Sequence, residues 1–424
     1  MMTKERKGIF PFAIMFAVAS VLFLIATLYL GIDNEVKSVY FPYAETMMGG
    51  VIPNIEYPPF ALVFLTIPGI FASTPDAYAA FFVMEVYLFF AVGLIFAGKI
   101  AKRFDMNPNI AMLAYTIMML FMLQFVLYRY DIFPAVLTMA SLYCFITKRY
   151  FWAFALLSVA TMTKLYPAII MPIYLISILI DRDIKGALKG IGAFVIAALL
   201  IMLPFILSGS DVMSYFLNYH MDRPLQLESL TSSAIALAAI LGMTTVWVQF
   251  GFGSDNLMGQ WPDAVTPFLT PMVVISILVL YAVFAWVLLR SKGSGMDTET
   301  NRFSIIGVAI FTAFVIFVVG GKVFSSQYVI WLIPAVLFMM MAFSNDSGMK
   351  RVYILFLVMS AITQLCFMIN LKMYPGEFNE VGMLLLLVRN IMVVSMVPMA
   401  VLHLKRHMEG YKVDIVPEAE HRKL

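Results

Sequence analysis

Apolar runs near the length needed to cross a bilayer recur along the whole chain, separated by short polar islands rather than by stretches the size of a soluble domain. With about 20 predominantly apolar residues as the spanning length, the pattern predicts helices near 9–32, 77–98, 109–128, 132–147, 150–163, 166–180, 187–208, 265–289, 303–320, 328–343, 352–371 and 381–404. That makes twelve crossings, with both ends of the chain on the same side. Two further apolar stretches, 59–74 and 234–250, keep the flanking charges consistent only if they do not cross, so they are expected to be interfacial or re-entrant. The expected fold class is an all-α polytopic membrane protein, with one integral membrane domain over 1–424. Its main polar segments are outer loops at 33–58 and 209–233 and a cytoplasmic tail at 405–424. The basic start, Lys4 to Lys7, runs into the first apolar segment without a small-residue cleavage site, as in a retained signal anchor.

Composition supports this class, with 62% hydrophobic and 12% charged residues. A net charge of +3 is too small to point to a nucleic-acid partner, so the positives matter by location. On the predicted topology 21 lysines and arginines fall in cytoplasmic segments and six outside, with Arg389 inside the last helix. The six are Lys37, Arg129, Lys164, Arg223, Lys322 and Lys372. Such a bias fixes the orientation, both termini cytoplasmic, in a cell membrane. Cys144 and Cys366 lie within apolar runs and read as small buried hydrophobes.

Topology disfavours outer cations, yet four of the six sit in short polar islands. These are Tyr128-Arg129-Tyr130-Asp131, Thr163-Lys164-Leu165-Tyr166-Pro167, Tyr219 to Ser229 around Arg223, and Gly321-Lys322 to Tyr328. All four face the same side as the first loop, 33–58, which carries Asp33, Glu35, Lys37, Glu56, three tyrosines and Pro58-Pro59. A plain link between helices usually takes about 2–8 residues, so this loop is far longer than connection requires. Snorkelling accounts for any one island alone, but not for five on one face.

Lys164 is the sharpest case. The helix before it, 150–163, is only roughly 21 Å long at about 1.5 Å per residue, against a hydrocarbon core of about 30 Å. The lysine is therefore expected below the outer interface, where a cation costs roughly 2.5–3.5 kcal/mol unless it faces water or an anion. Arg389 poses the same problem, with Glu85 either its partner or a helix-packing acid.

In order and wording these islands resemble the polyprenol-phosphate-dependent mannosyltransferases of the GT-C superfamily, most closely glycosyltransferase family 87. The likeness rests on the acid and tyrosines of Asp33 to Tyr43, Glu56-Tyr57-Pro58-Pro59, Arg129 to Pro134, Lys164 to Pro167, His220 to Ser229, and Ser325 to Trp331, and it spans about residues 9 to 335. The usual acid of the first loop lies a few residues nearer the tyrosines than Asp33 does, so Asp33 and Glu35 both stand as candidate bases.

The resemblance implies a GT-C fold of about 12 transmembrane helices, with short interfacial or re-entrant helices in the outer loops. It implies a membrane glycosyltransferase that moves a sugar, mannose by this likeness, from a polyprenyl or dolichyl phosphate donor to a lipid or glycan acceptor on the outer face. The reaction would invert the anomeric carbon, with a carboxylate taking the acceptor proton. On this reading Asp33, then Glu35, serves as base, with His220 orienting a hydroxyl or moving a proton. Lys164, Arg223 and Lys322 hold the donor phosphate, and Arg129 supports them by pairing with Asp131. Glu56, Tyr57, Asp131, Glu228, Gln327 and Tyr328 contact sugar or acceptor. Expected partners are the bilayer, the lipid donor and the acceptor. No cofactor or metal is expected: outside there is no metal-spaced cluster, and a Gly-rich phosphate loop for nucleotide sugars is missing. The other reading, a transporter or lipid flippase, calls for facing intramembrane charges and an internal repeat.

Overall fold

The structure, a computed structural model, describes residues 6–30, 35–293, 298–343, 347–369 and 376–420. Helix dominates, and the protein is a multi-pass membrane protein. Six described helices are long and apolar enough to cross a membrane: Pro75–Arg103, Ile184–Leu207, Gln260–Lys292, Glu299–Gly320, Gly348–Ile369 and Glu380–Glu409. Several other expected crossings are shorter apolar helices, including Ile132–Ile146 and Tyr150–Thr163. The expected 109–128 segment is broken: Pro108–Phe121 ends at Met122, whose φ of −113° and ψ of 22° leave the helical region, and Leu123–Tyr128 restarts beyond it.

The chain forms two compact units. The first comprises Met1–Met171, Lys185–Arg223 and Ser326–Pro334; the second comprises Pro172–Ile184, Pro224–Ser325 and Ala335–Leu424.

In the first unit, Ile132–Ile146 and Tyr150–Thr163 form an antiparallel pair, and the Ser141 hydroxyl donates to the Ala153 carbonyl at 2.7 Å across it. Gly190 lets the helix Ile184–Leu207 approach closely, because a Cβ there would stand 2.7 Å from the Phe154 ring. The long first loop folds into a π-helical turn, Val36–Tyr40, then a helix, Phe41–Met48. The stretch expected to be re-entrant, 59–74, becomes the short helix Ala61–Thr66 and a 3-10 turn, Ile67–Ile70, together too short to span. Two contacts fix this loop: Lys37 pairs with Asp76 at 2.5 Å, and the Phe60 backbone N–H donates to the Met162 carbonyl at 2.9 Å.

In the second unit, Arg302 bonds the Asp181 carboxylate and donates to the Ser177 carbonyl at 2.5 Å, which ties Glu299–Gly320 to the end of Ile170–Ile180. Arg389 is fully buried. It donates to the Glu228 carbonyl at 2.7 Å and lies over the Phe324 ring at 3.9 Å, contacts that replace the suggested partnership with Glu85. In the first unit, both carboxylate oxygens of Glu85 are buried, with no hydrogen-bond partner among the described residues.

The 234–250 stretch departs from expectation. Helix Leu230–Ile240 ends, and the chain then turns into strands β1 (Trp247–Gly251) and β2 (Ser254–Met258), paired antiparallel with Val248 opposite Leu257. The turn residues Phe252 and Gly253 both have positive φ, 53° and 65°. That conformation matches the right-handed twist of two strands joined by a two-residue loop. Val248 and Leu257 bury into a core with Leu225, Leu227, Ile235, Leu269, Met383 and Leu386. This hairpin is the exception to an all-α chain among the described residues.

Candidate active site

The first unit gathers four of the predicted charged residues into two neighbouring ion pairs. Lys164 caps the helix Tyr150–Thr163 in an extended conformation, φ −156° and ψ 132°, which turns its side chain out of the helical path. Its Nζ donates to Asp131 Oδ1 at 2.7 Å. The same oxygen accepts the Trp331 indole N–H at 2.5 Å. Asp131 is fully buried, and its Oδ2 has no hydrogen-bond partner among the described residues.

Four rings surround the ammonium. Tyr130, Trp331, Tyr328 and Tyr57 lie with centroids 4.3, 5.2, 5.5 and 5.8 Å from Nζ. Tyr328 stacks on Trp331 at 3.6 Å, and Trp331 stacks on Tyr166 at 4.4 Å. Such faces attract a cation and exclude water, so the charge is held in a poorly screened setting. Burial pulls the Lys164 ammonium below the ordinary lysine range, and the Asp131 carboxylate pulls it back up. Burial also raises the Tyr57 and Tyr130 phenols well above their ordinary range, Glu56 and Asp131 adding to it respectively, so both remain neutral hydrogen-bonding groups.

The second pair joins Arg129 to Glu35 at 2.8 Å, with the Arg129 side chain 12% exposed. The Tyr40 hydroxyl lies 3.4 Å from the other Glu35 oxygen, and the second arginine nitrogen donates to the Tyr128 carbonyl at 3.0 Å. The expected Arg129–Asp131 pairing is therefore corrected. The backbone turns from extended at Arg129 to helical at Asp131, two residues on, so the side chains part and Asp131 takes Lys164 instead. Within these pairs, two acids balance two bases.

Beside them lies a further polar group. Glu56 accepts from the Tyr43 hydroxyl at 2.6 Å, and His220 Nε2 lies 3.0 Å from the Glu56 carbonyl. Tyr57 connects the groups, its ring 4.6 Å from that of Tyr130. Arg223 is buried at the end of helix Val212–Asp222. It acts electrostatically on Tyr219, a phenol that burial pushes up to about 12 and that Glu56 and Tyr328 also influence. Gln327 lies half-buried in the turn Ser326–Tyr328.

Other candidates lie elsewhere. Lys322 and Glu228 belong to the second unit, where their backbone carbonyls accept from Gln226 N–H at 2.9 Å and from Arg389. Asp33 and Lys372 lie outside the described residues. Trp331, Tyr130 and Tyr43 carried no assigned role in the sequence reading. One signal was available, since a tryptophan in an apolar run needs a partner for its N–H.

The family model described as Glycosyltransferase family 87 matches residues 55–319, more than half of the chain. No curated protein matches the sequence. Among solved structures, the crystal structure of ArnT from Cupriavidus metallidurans bound to undecaprenyl phosphate is similar. It is 13% identical over 96% of this chain and 79% of that one, with a TM-score of 0.49.

Proposed function

Because the chain belongs to glycosyltransferase family 87, we propose that it transfers mannose from a polyprenyl or dolichyl phosphate to a lipid or glycan acceptor at the outer face of the cell membrane. The observation that carries this reading is the pair of acid–base couples, Glu35–Arg129 and Lys164–Asp131, walled by tyrosines and a tryptophan. A sugar leaving from a phosphodiester needs fixed positive charge where the phosphate gains its second negative charge, and a carboxylate where the acceptor loses its proton. Both are present within one compact unit.

In the proposed step an acceptor hydroxyl attacks the anomeric carbon from the face opposite the phosphate. The carbon–oxygen bond to the phosphate breaks, and the electron pair leaves on the lipid phosphate. The hydroxyl proton passes to the first-loop acid, Asp33 or Glu35. Lys164 and Arg129, with Arg223, meet the leaving charge, and no metal is needed to do so. Glu56, its carboxylate held by Tyr43, together with His220, Gln327, Tyr57 and Tyr328, offers hydrogen bonds or ring faces to sugar and acceptor. Arg129 is engaged by Glu35, so an arriving phosphate competes for the guanidinium and sets that carboxylate free as it binds.

A transporter or flippase does not account for membership in a glycosyltransferase family. The test is incubation of the purified protein in nanodiscs with radiolabelled polyprenyl-phosphate mannose and candidate lipid acceptors. The expected outcome is acceptor-dependent transfer with inversion. Transfer from a nucleotide sugar, with none from the lipid phosphate, would refute the reading.

A further inference from the structure

We propose that the hairpin of the second unit is a membrane-seated anchor that buries its aromatic tip in the lipid interface through hydrophobic contact rather than through charge. Its inward residues, Val248 and Leu257, are in the core, yet large apolar side chains on and beside it are also exposed. Leu241, Met243, Trp247, Phe250, Phe252 and Trp261 are 36–66% exposed within about 20 residues of chain. A cluster of exposed large apolar side chains of this kind marks an interaction surface.

Three observations point to lipid as its occupant. First, β2 ends at Met258, and the membrane-length helix Gln260–Lys292 begins after Gly259, with no spacer to lift the hairpin away. Second, the patch continues into that helix: Trp261 is followed by Phe268, Met272 and Ile275, exposed residues of a span whose most apolar window is only 22% buried. Aromatic side chains with an apolar body and a polar edge favour the level where such a span enters the bilayer. Third, the hairpin's backbone edges are already occupied. Val248 N–H donates to the Gly376 carbonyl at 3.1 Å, and Leu257 N–H donates to the Leu225 carbonyl at 2.9 Å. Occupied edges disfavour a partner that adds a strand and suit a medium poor in water.

Charge sets the kind of lipid contact. Residues 241–263 contain no lysine or arginine, and their only ionisable side chains are the acids Asp255 and Asp263. Anionic headgroups are therefore not the attraction. Mixed aliphatic and aromatic residues fit the boundary between headgroups and acyl chains better than they fit a sugar, whose hydroxyls ask for polar partners.

The test is a cysteine-linked bimane at Phe252→Cys, with Phe250→Cys as a second position, in the full-length protein. Native Cys144 and Cys366 are buried, so labelling is selective. Thr300→Cys, in the polar first turn of Glu299–Gly320, serves as the water-exposed control. In nanodiscs of zwitterionic lipid, spin-labelled lipid should quench the hairpin probes several-fold more than the control. Aqueous iodide should do the reverse, and neither result should change with added anionic lipid or salt. Strong iodide quenching at either hairpin position, protection from both quenchers, dependence on anionic lipid, or release of quenching by a soluble oligosaccharide would overturn the proposal.

Discussion

Replacing Asp131 with Asn removes the charge that faces Lys164 while keeping nearly the same shape. A buried pair that loses one partner leaves an uncompensated charge, at a cost of about 3–5 kcal/mol. The lysine can escape part of this by giving up its proton, and one pKa unit corresponds to about 1.4 kcal/mol. Burial already holds this group below the ordinary 10.5, and without the Asp131 carboxylate that pulls it back up its titration moves further down. The four surrounding rings remain and keep part of the support.

Two opposite slopes follow. Between the lowered folded-state value and 10.5 the unfolded chain binds more protons than the folded one, so stability rises with pH. In Asp131→Asn that window extends downward, and the stability deficit against wild type should shrink as pH increases. Donor use should fall over the same range, about tenfold per pH unit above the new value, because the neutral amine no longer meets phosphate. Thermal unfolding and donor KM, each followed from pH 6 to 9 in one nanodisc preparation, measure both. A second variant, Asp131→Asn with Lys164→Met, should recover stability without recovering donor affinity. Parallel pH profiles for Asp131→Asn and wild type would refute the claim that this pair sets the lysine's charge.

Further outcomes are expected. Asp33→Asn should lower the transfer rate about 10² to 10⁴-fold with donor binding nearly intact; loss in Glu35→Gln instead, with Asp33→Asn active, would move the role to Glu35. Lys164→Ala should weaken donor use roughly ten- to hundred-fold, as loss of a charged hydrogen bond implies, and Arg223→Ala should also weaken it. Lys37→Ala should do so far less, because that lysine is partly exposed and paired with a largely exposed Asp76; equal effects in all three variants would assign the cations to topology alone. Cysteine labelling should find positions 37, 164 and 322 on the outer side and 148 and 350 inside, and cytoplasmic labelling near 322 would break the charge argument.

Lys164 was legible from the sequence because helix length is local: fourteen residues before it, Tyr150–Thr163, are what the structure contains. That it needed company was legible too, from the cost of a cation at depth. Which acid it takes was not. Arg129 and Asp131 are two residues apart and opposite in charge, yet the backbone runs from extended at Arg129 to helical at Asp131 and sends each side chain to a partner far along the chain. Trp331 lay within a quoted motif, but its N–H bond to Asp131 crosses 200 positions. The hairpin was hidden by its own hydrophobicity, since an average over 234–250 counts Trp247, Val248 and Phe250 as apolar whatever the period. The Gly251-Phe252-Gly253 turn was the cue that such an average erases.

The first loop is fastened at both ends by contacts that leave its middle free of the task. One end is the Lys37–Asp76 pair, and the other is a peptide N–H of Phe60 on the carbonyl of Met162. A main-chain bond survives any side-chain replacement except proline at its donor. The largely exposed stretch from about Glu45 to Ile52 can accordingly be exchanged or lengthened during divergence while Tyr43, Glu56 and the exit beside Lys164 stay in place. Within a shared catalytic floor, such a strap is a natural place for acceptor preference to drift, and grafting it between homologues would be a direct way to move that preference.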